Sequence, residues 1–165
     1  SFLEMPNCKP PTTDQEQLSW KIDRASKTSV ANFGFFIGAT SGNLRSLNDA
    51  QPACGIKIFM GSSTGDLLVD DEKHLDQIFG NGSRLIAVHA EDETRIQDRT
   101  KSLLDGNENP DYSIHSVIRD PQTALIATER ALSLSKKYER RLHVLHLSTA
   151  EEVKRLRHDK PDWVS

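Results

Sequence analysis

Short apolar runs alternate with longer segments of helical periodicity along the whole chain. The first run, Phe2 to Met5, stops at Pro6. Asn7-Cys8-Lys9-Pro10-Pro11 cannot continue a central strand, because proline brings no amide proton to the ladder. Thr13-Asp14 reads as an N-cap for a helix over Gln15 to Ser26. Asn32 to Ile37 reads as a second strand and Asn43 to Ala50 as a short helix. Gly55 to Met60 is predicted as a third strand, followed by the polar loop Gly61-Ser62-Ser63-Thr64-Gly65. Asp70 or Asp71 caps a helix to Phe79 that Gly80-Asn81-Gly82 stops. Arg84 to His89 is a near-continuous apolar strand, and Ala90 to Leu104 carries alternating charges at helical spacing. Asp105 to Tyr112 is a Gly/Asn/Pro loop. Asp120-Pro121 gives an N-cap with proline in the first helical position, opening a helix to Tyr138. Leu142 to Leu147 is a fifth strand. Ser148 or Thr149 caps a last helix, with Glu151 or Glu152 at capping-box distance and Pro161 as its end. Trp163-Val164-Ser165 reads as the opening of a sixth strand.

Strands apolar on both faces and separated by helices predict a parallel sheet in an α/β fold. The 165 residues suit a single domain or a piece of a larger one. With 21 Lys+Arg against 24 Asp+Glu the net charge is −3, which excludes a strongly basic nucleic-acid binder. No apolar run approaches the ~20 residues of a membrane helix, and the start has neither the basic nor the apolar region of a signal peptide. Cys8 and Cys54 cannot build a disulfide framework, so a reducing, cytoplasmic setting is expected.

The candidate chemistry sits at strand ends. Lys57 lies inside Ile56-Lys57-Ile58-Phe59-Met60, where a charged amine is costly unless paired or modified. His89 ends the next strand and His146 the one after. Three successive strands thus each deliver one ligand or base towards the carboxyl edge, where α/β folds build active sites. Neutral imidazole is a common zinc ligand, but two are too few for a catalytic site, so further ligands must come from elsewhere. Each residue also has a plain reading: a strand-end histidine held by a hydrogen bond, or an edge lysine with its ammonium reaching water. His143 has the opposite strand parity to His146 and is expected to face the outer helices. His74, His115 and His158 are expected to be solvated. The charges from Glu91 to Lys101, and the cluster Lys154, Arg155 and Arg157, read as helix surface. The Gly61–Gly65 loop lacks the phosphate-cradling pattern.

Four segments carry a resemblance that spans the chain. Glu4-Met5-Pro6-Asn7-Cys8-Lys9-Pro10-Pro11-Thr12 resembles the Met-Pro-Asn-Thr-x-Pro-Pro motif of dihydroorotases. Gly55-Ile56-Lys57-Ile58-Phe59-Met60 is similar to the strand that carries a carboxylated lysine in cyclic amidohydrolases. His89-Ala90-Glu91-Asp92 and His146-Leu147-Ser148-Thr149 resemble the two later metal-histidine motifs. The first motif favours dihydroorotase over hydantoinase and allantoinase.

The resemblance implies a partial (β/α)8 TIM barrel, from roughly strand 2 to the start of strand 7, forming one incomplete domain over residues 1–165. It implies that carboxylated Lys57 bridges two metal ions, normally zinc, and that His89 and His146 bind the second. Asn7 would hold the carboxylate of the small-molecule substrate. The implied reaction is the reversible cyclisation of N-carbamoyl-L-aspartate to L-dihydroorotate, in pyrimidine synthesis. The family's His-x-His pair would precede Ser1 and its catalytic Asp would follow Ser165, so the chain reads as an internal fragment, inactive by itself. The family's Thr is Cys8 here. A homo-oligomer of the full-length protein, with aspartate transcarbamoylase as a further partner, is also implied. An inactive scaffold for that transcarbamoylase is the alternative outside enzymology. Such scaffolds tend to lose metal ligands, whereas Lys57, His89 and His146 are present.

Overall fold

The computed structural model describes residues 1–63, 65–106 and 109–165. Thr64 of the polar loop and Asn107-Glu108 of the Gly/Asn/Pro loop lie outside the described residues. Among the described residues five strands, β1 (Phe2–Glu4), β2 (Phe33–Gly38), β3 (Gly55–Phe59), β4 (Ile86–His89) and β5 (Leu142–Val144), form one sheet in that spatial order. Every neighbouring pair is parallel. The connections run through helices α1 (Gln15–Thr28), α2 (Leu44–Asp49), α3 (Glu72–Gly80), α4 (Glu93–Leu104), α5 (Ile114–Ile118) and α6 (Pro121–Tyr138); α7 (Ala150–Asp159) follows β5.

The unbroken strand order decides the architecture. Parallel crossovers are right-handed in nearly all proteins, so crossovers that always advance in one direction put their helices on one face. A doubly wound sheet would reverse its order and cover both faces. Here Ile37, Ile56, Ile58, Ile86, Val88 and Val144 point outward into a core with Leu18, Leu75, Phe79, Ala131 and Leu156 from the helices. The alternate strand positions face the other way, onto the inside of a half-barrel. Leu3, in register with Gly34 on that inner side, is 57% exposed.

Helix starts follow the predicted capping. Asp14, Asp71 and Asp120 accept from backbone amides of α1, α3 and α6, and Thr149 accepts from Glu152 N of α7. Glu152 is 3% exposed and takes hydrogen bonds of 2.7 Å from both Thr128 and Thr149, which ties α7 to α6. Residues 163–165 run beside β5: Val164 pairs with Leu142, and Val144 N donates to Ser165 O at 2.8 Å. Among the described residues no helix is long and apolar enough to cross a membrane.

Two sequence expectations about element bounds need correction, and one short helix went unread. The fifth strand ends at Val144 rather than Leu147, and Leu145-His146 forms a turn. The fourth helix starts at Glu93, because Asp92 is its N-cap and accepts from Arg95 N at 2.8 Å. The short helix α5 had no sequence signal, since a single turn shows no periodicity to read.

Candidate metal and substrate site

The inner face is organised in rows by the parallel register. Gly38, Lys57, Ala87 and His143 share one row, and Phe59 and His89 share the row nearer the carboxyl edge. His143 therefore faces the inside with Lys57, not the outer helices. Parity counted from His146 misled because the strand stops before His146 is reached. His143 Nδ1 lies 2.9 Å from the Ser165 hydroxyl.

Lys57 is 2% exposed and β3 is buried along its whole length. Its amine donates to Ile58 O at 2.9 Å and sits 3.8 Å from the centre of the Phe59 ring. Burial pushes its pKa down from 10.5 to about 7. The snorkelling-edge reading fails, because β3 is a central strand and the amine does not reach solvent.

His89 and His146 converge. His89 Nδ1 is 2.9 Å from His146 Nε2, with the ring centres 4.7 Å apart in an edge-on arrangement. His146 has φ of +39°, in the left-handed region that favours glycine. The turn holds it there: the Ser148 hydroxyl donates to His146 O at 2.5 Å. A strained residue at a strand end is a frequent mark of a functional position. Burial, reinforced by the nearby His89 and Lys57 charges, lowers the pKa of His146. This ring therefore favours the neutral form that a metal requires.

Glu91 completes the cluster, and sequence reasoning missed it by assigning it to a solvated helix face. Its Oε2 lies 2.7 Å from His89 Nε2 and 3.0 Å from Arg119 Nη1. Burial opposes its ionisation, but the hydrogen bond from His89, the nearby Ser62 hydroxyl and the charges of Arg119 and His89 together outweigh it and hold its pKa below the ordinary value. The signal was present in the sequence as the carboxylate two residues after His89. Arg119 gave none. A cavity of about 340 Å³ opens beside His89, Glu91, Arg119 and His146.

Asn7 is exposed and lines a separate, larger cavity of about 640 Å³ with Thr40, Asn43, Ser62, Asp66 and Phe59. Phe59 links the two regions, because its ring also contacts the Lys57 amine and lies 6.1 Å from the His89 ring. Cys8, beside Asn7, contacts the Lys21 amine, which pairs with Glu4 at 3.3 Å.

The donors fit a metal ion in part. Two imidazole nitrogens on one tetrahedral zinc stand about 3.3 Å apart, given Zn–N bonds of about 2.05 Å. The His89–His146 pair needs only a few tenths of an ångström to open to that span. Among the described residues no three His, Cys, Asp or Glu side chains form a metal-holding group, so a further ligand among them would come from another residue type, such as Lys57 once carboxylated.

With that geometry in place, the similarity to known proteins becomes interpretable. The chain is 36% identical over 167 aligned residues to a dihydroorotase of Methanosarcina acetivorans, covering 97% of the chain and 34% of the relative. A dihydroorotase of Methanosarcina mazei is 35% identical over the same share of the chain. An L-hydantoinase of Arthrobacter aurescens superposes with a TM-score of 0.87 at 28% identity, covering 94% of the chain and 36% of that structure. In sequence and in fold the chain is thus similar to cyclic amidohydrolases over nearly its whole length. No protein-family model matches it. It spans about a third of the length of the curated relatives it matches. Its half-barrel is accordingly a partial (β/α)8 barrel of the hydantoinase-like kind.

Proposed function

We propose that this chain contributes metal and substrate ligands to a dihydroorotase, which interconverts N-carbamoyl-L-aspartate and L-dihydroorotate in pyrimidine synthesis. The observation that carries this reading is the convergence of His89 Nδ1 and His146 Nε2, with His89 on the same inner face of the sheet as the buried Lys57. The curated relatives named dihydroorotase support the choice of substrate.

Lys57, His89 and His146 would hold zinc. When bound, such ions would polarise the ring amide carbonyl and make hydroxide accessible at neutral pH. Lys57 is suited to carboxylation, because its depressed pKa leaves much of the amine neutral near pH 7. The neutral nitrogen attacks carbon dioxide, forming a carbamate and releasing one proton. A buried amine thereby becomes an anion suited to hold a metal ion. Asn7 would donate its amide to the substrate carboxylate, in a cavity whose size suits a small ring. The activity belongs to a longer polypeptide; five strands leave the inner face open, and the 165-residue chain alone is expected to show no turnover.

A second reading, hydantoin as substrate, is favoured by the superposition on L-hydantoinase. The test compares dihydroorotate, hydantoin and allantoin in the full-length protein, with and without zinc. Zinc-dependent turnover of dihydroorotate above the others supports the proposal. A preference for hydantoin replaces it with the second reading. Metal-independent binding without turnover would favour the scaffold.

A further inference from the structure

Glu91 does more than neutralise charge beside the histidine pair. Its backbone is pinned on two sides. Asp92 N donates to Thr123 O at 3.0 Å, and Gly61 packs so closely that a Cβ there would clash with Glu91 O. Its side chain is pinned by Arg119, which follows α5. That helix is braced by α4: Arg99 donates to Val117 O at 2.6 and 3.0 Å. The carboxylate is 16% exposed, so little water competes for its oxygens.

An ionised carboxylate accepts hydrogen bonds and cannot donate. His89 Nε2, 2.7 Å away, must therefore carry a proton. In the neutral ring this leaves Nδ1 bare, and Nδ1 is the nitrogen that faces His146 Nε2. We infer that Glu91 is a positioning residue, held by Arg119, that locks His89 in its Nε2–H tautomer and presents the Nδ1 lone pair at the point where the two imidazoles meet. The zinc-binding consequence rests on the proposed function; the tautomer does not. Without Glu91 the ring is free to carry its proton on Nδ1, where it blocks the shared point, or to rotate. A carboxylate behind a histidine ligand commonly sets both tautomer and orientation, and its loss typically costs about 10- to 100-fold in metal affinity.

The test uses the metal-free chain labelled with ¹⁵N. Long-range ¹H–¹⁵N correlations report which His89 nitrogen is protonated, and the unsubstituted chain needs no variant for this reading. The expected state is Nε2–H with bare Nδ1; Nδ1–H as the main form overturns the inference. Glu91→Ala should give mixed tautomers, whereas Glu91→Gln should retain Nε2–H through its amide oxygen. An unchanged ring state in Glu91→Ala also overturns it. Zinc affinity, measured by competition with a chromophoric chelator, should fall about 10- to 100-fold in Glu91→Ala and less in Glu91→Gln. If His89 shows the expected tautomer and its Glu91 dependence but the chain takes up no zinc, the positioning role stands and the metal reading falls.

Discussion

Replacing Lys57 with methionine should stabilise the metal-free chain, and by an amount that depends on pH. Methionine keeps the unbranched chain to within one atom and removes the amine from a site that is 2% exposed. In the folded chain burial lowers the amine pKa from 10.5 to about 7. Each unit of that shift corresponds to about 1.4 kcal/mol, so the charged amine costs folding about 5 kcal/mol in order of magnitude. Between pH 7 and 10.5 the folded chain holds the amine neutral while the unfolded chain keeps it protonated. Unfolding then takes up a proton, and stability rises with pH across this window. Below pH 7 both states carry the charge and the full cost remains; above pH 10.5 it is gone. Methionine also leaves Ile58 O without its hydrogen bond, a loss of about 1 kcal/mol. Lys57→Met should therefore gain about 4 kcal/mol near pH 6 and lose about 1 kcal/mol near pH 10.5. Urea unfolding followed by the fluorescence of Trp20 and Trp163, in buffers free of carbon dioxide and metal, measures the difference. A stability gap that stays constant with pH, or a variant less stable than the parent at pH 6, would refute the reasoning.

Three other outcomes are open to direct measurement. Asp120 caps α6 through Thr123 N at 3.0 Å and pairs with Arg95 at 2.5 Å, so Asp120→Ala should lower the urea midpoint by an equivalent of about 1–3 kcal/mol. The Arg95 hydrogen bond holds the Asp120 carboxyl well below the usual carboxylate range. Its contribution is thus complete above about pH 4 and lost as the pH falls further, which an acid titration of the two proteins would show. Zinc at about 100 times its dissociation constant should stabilise the chain by about 2.7 kcal/mol, seen as a higher Tm. His89→Ala and His146→Ala should each abolish that gain. Gly61→Ala forces a Cβ against the Glu91 carbonyl oxygen and should cost about 1–3 kcal/mol in urea unfolding, since backbone cannot yield as a side chain can.

Much of the fold was legible because its signals are local. Asp14, Asp71, Asp120 and Thr149 cap the helices that their side-chain chemistry predicts. Strands apolar on both faces are parallel and buried, as β3 is. Failures came where a long-range contact overrode the local pattern. Leu145 to Leu147 reads as strand, yet the Ser148 hydroxyl and the approach of His89 turn the chain at His146. Glu91 reads as surface by composition, and only the arrival of Arg119 from a later segment makes it an interior carboxylate.

The sequence by itself determined the alternation of strands and helices, the parallel sheet, and the three residues Lys57, His89 and His146 as candidates for one site. These follow from solvation and backbone geometry acting over a few residues. Only the tertiary structure decided which nitrogens face one another, that His143 looks inward, and that Glu91 and Arg119 stand behind His89. The physical reason is register. Strand pairing sets which side chains share a row, and no stretch of chain can reveal the alignment of its neighbours.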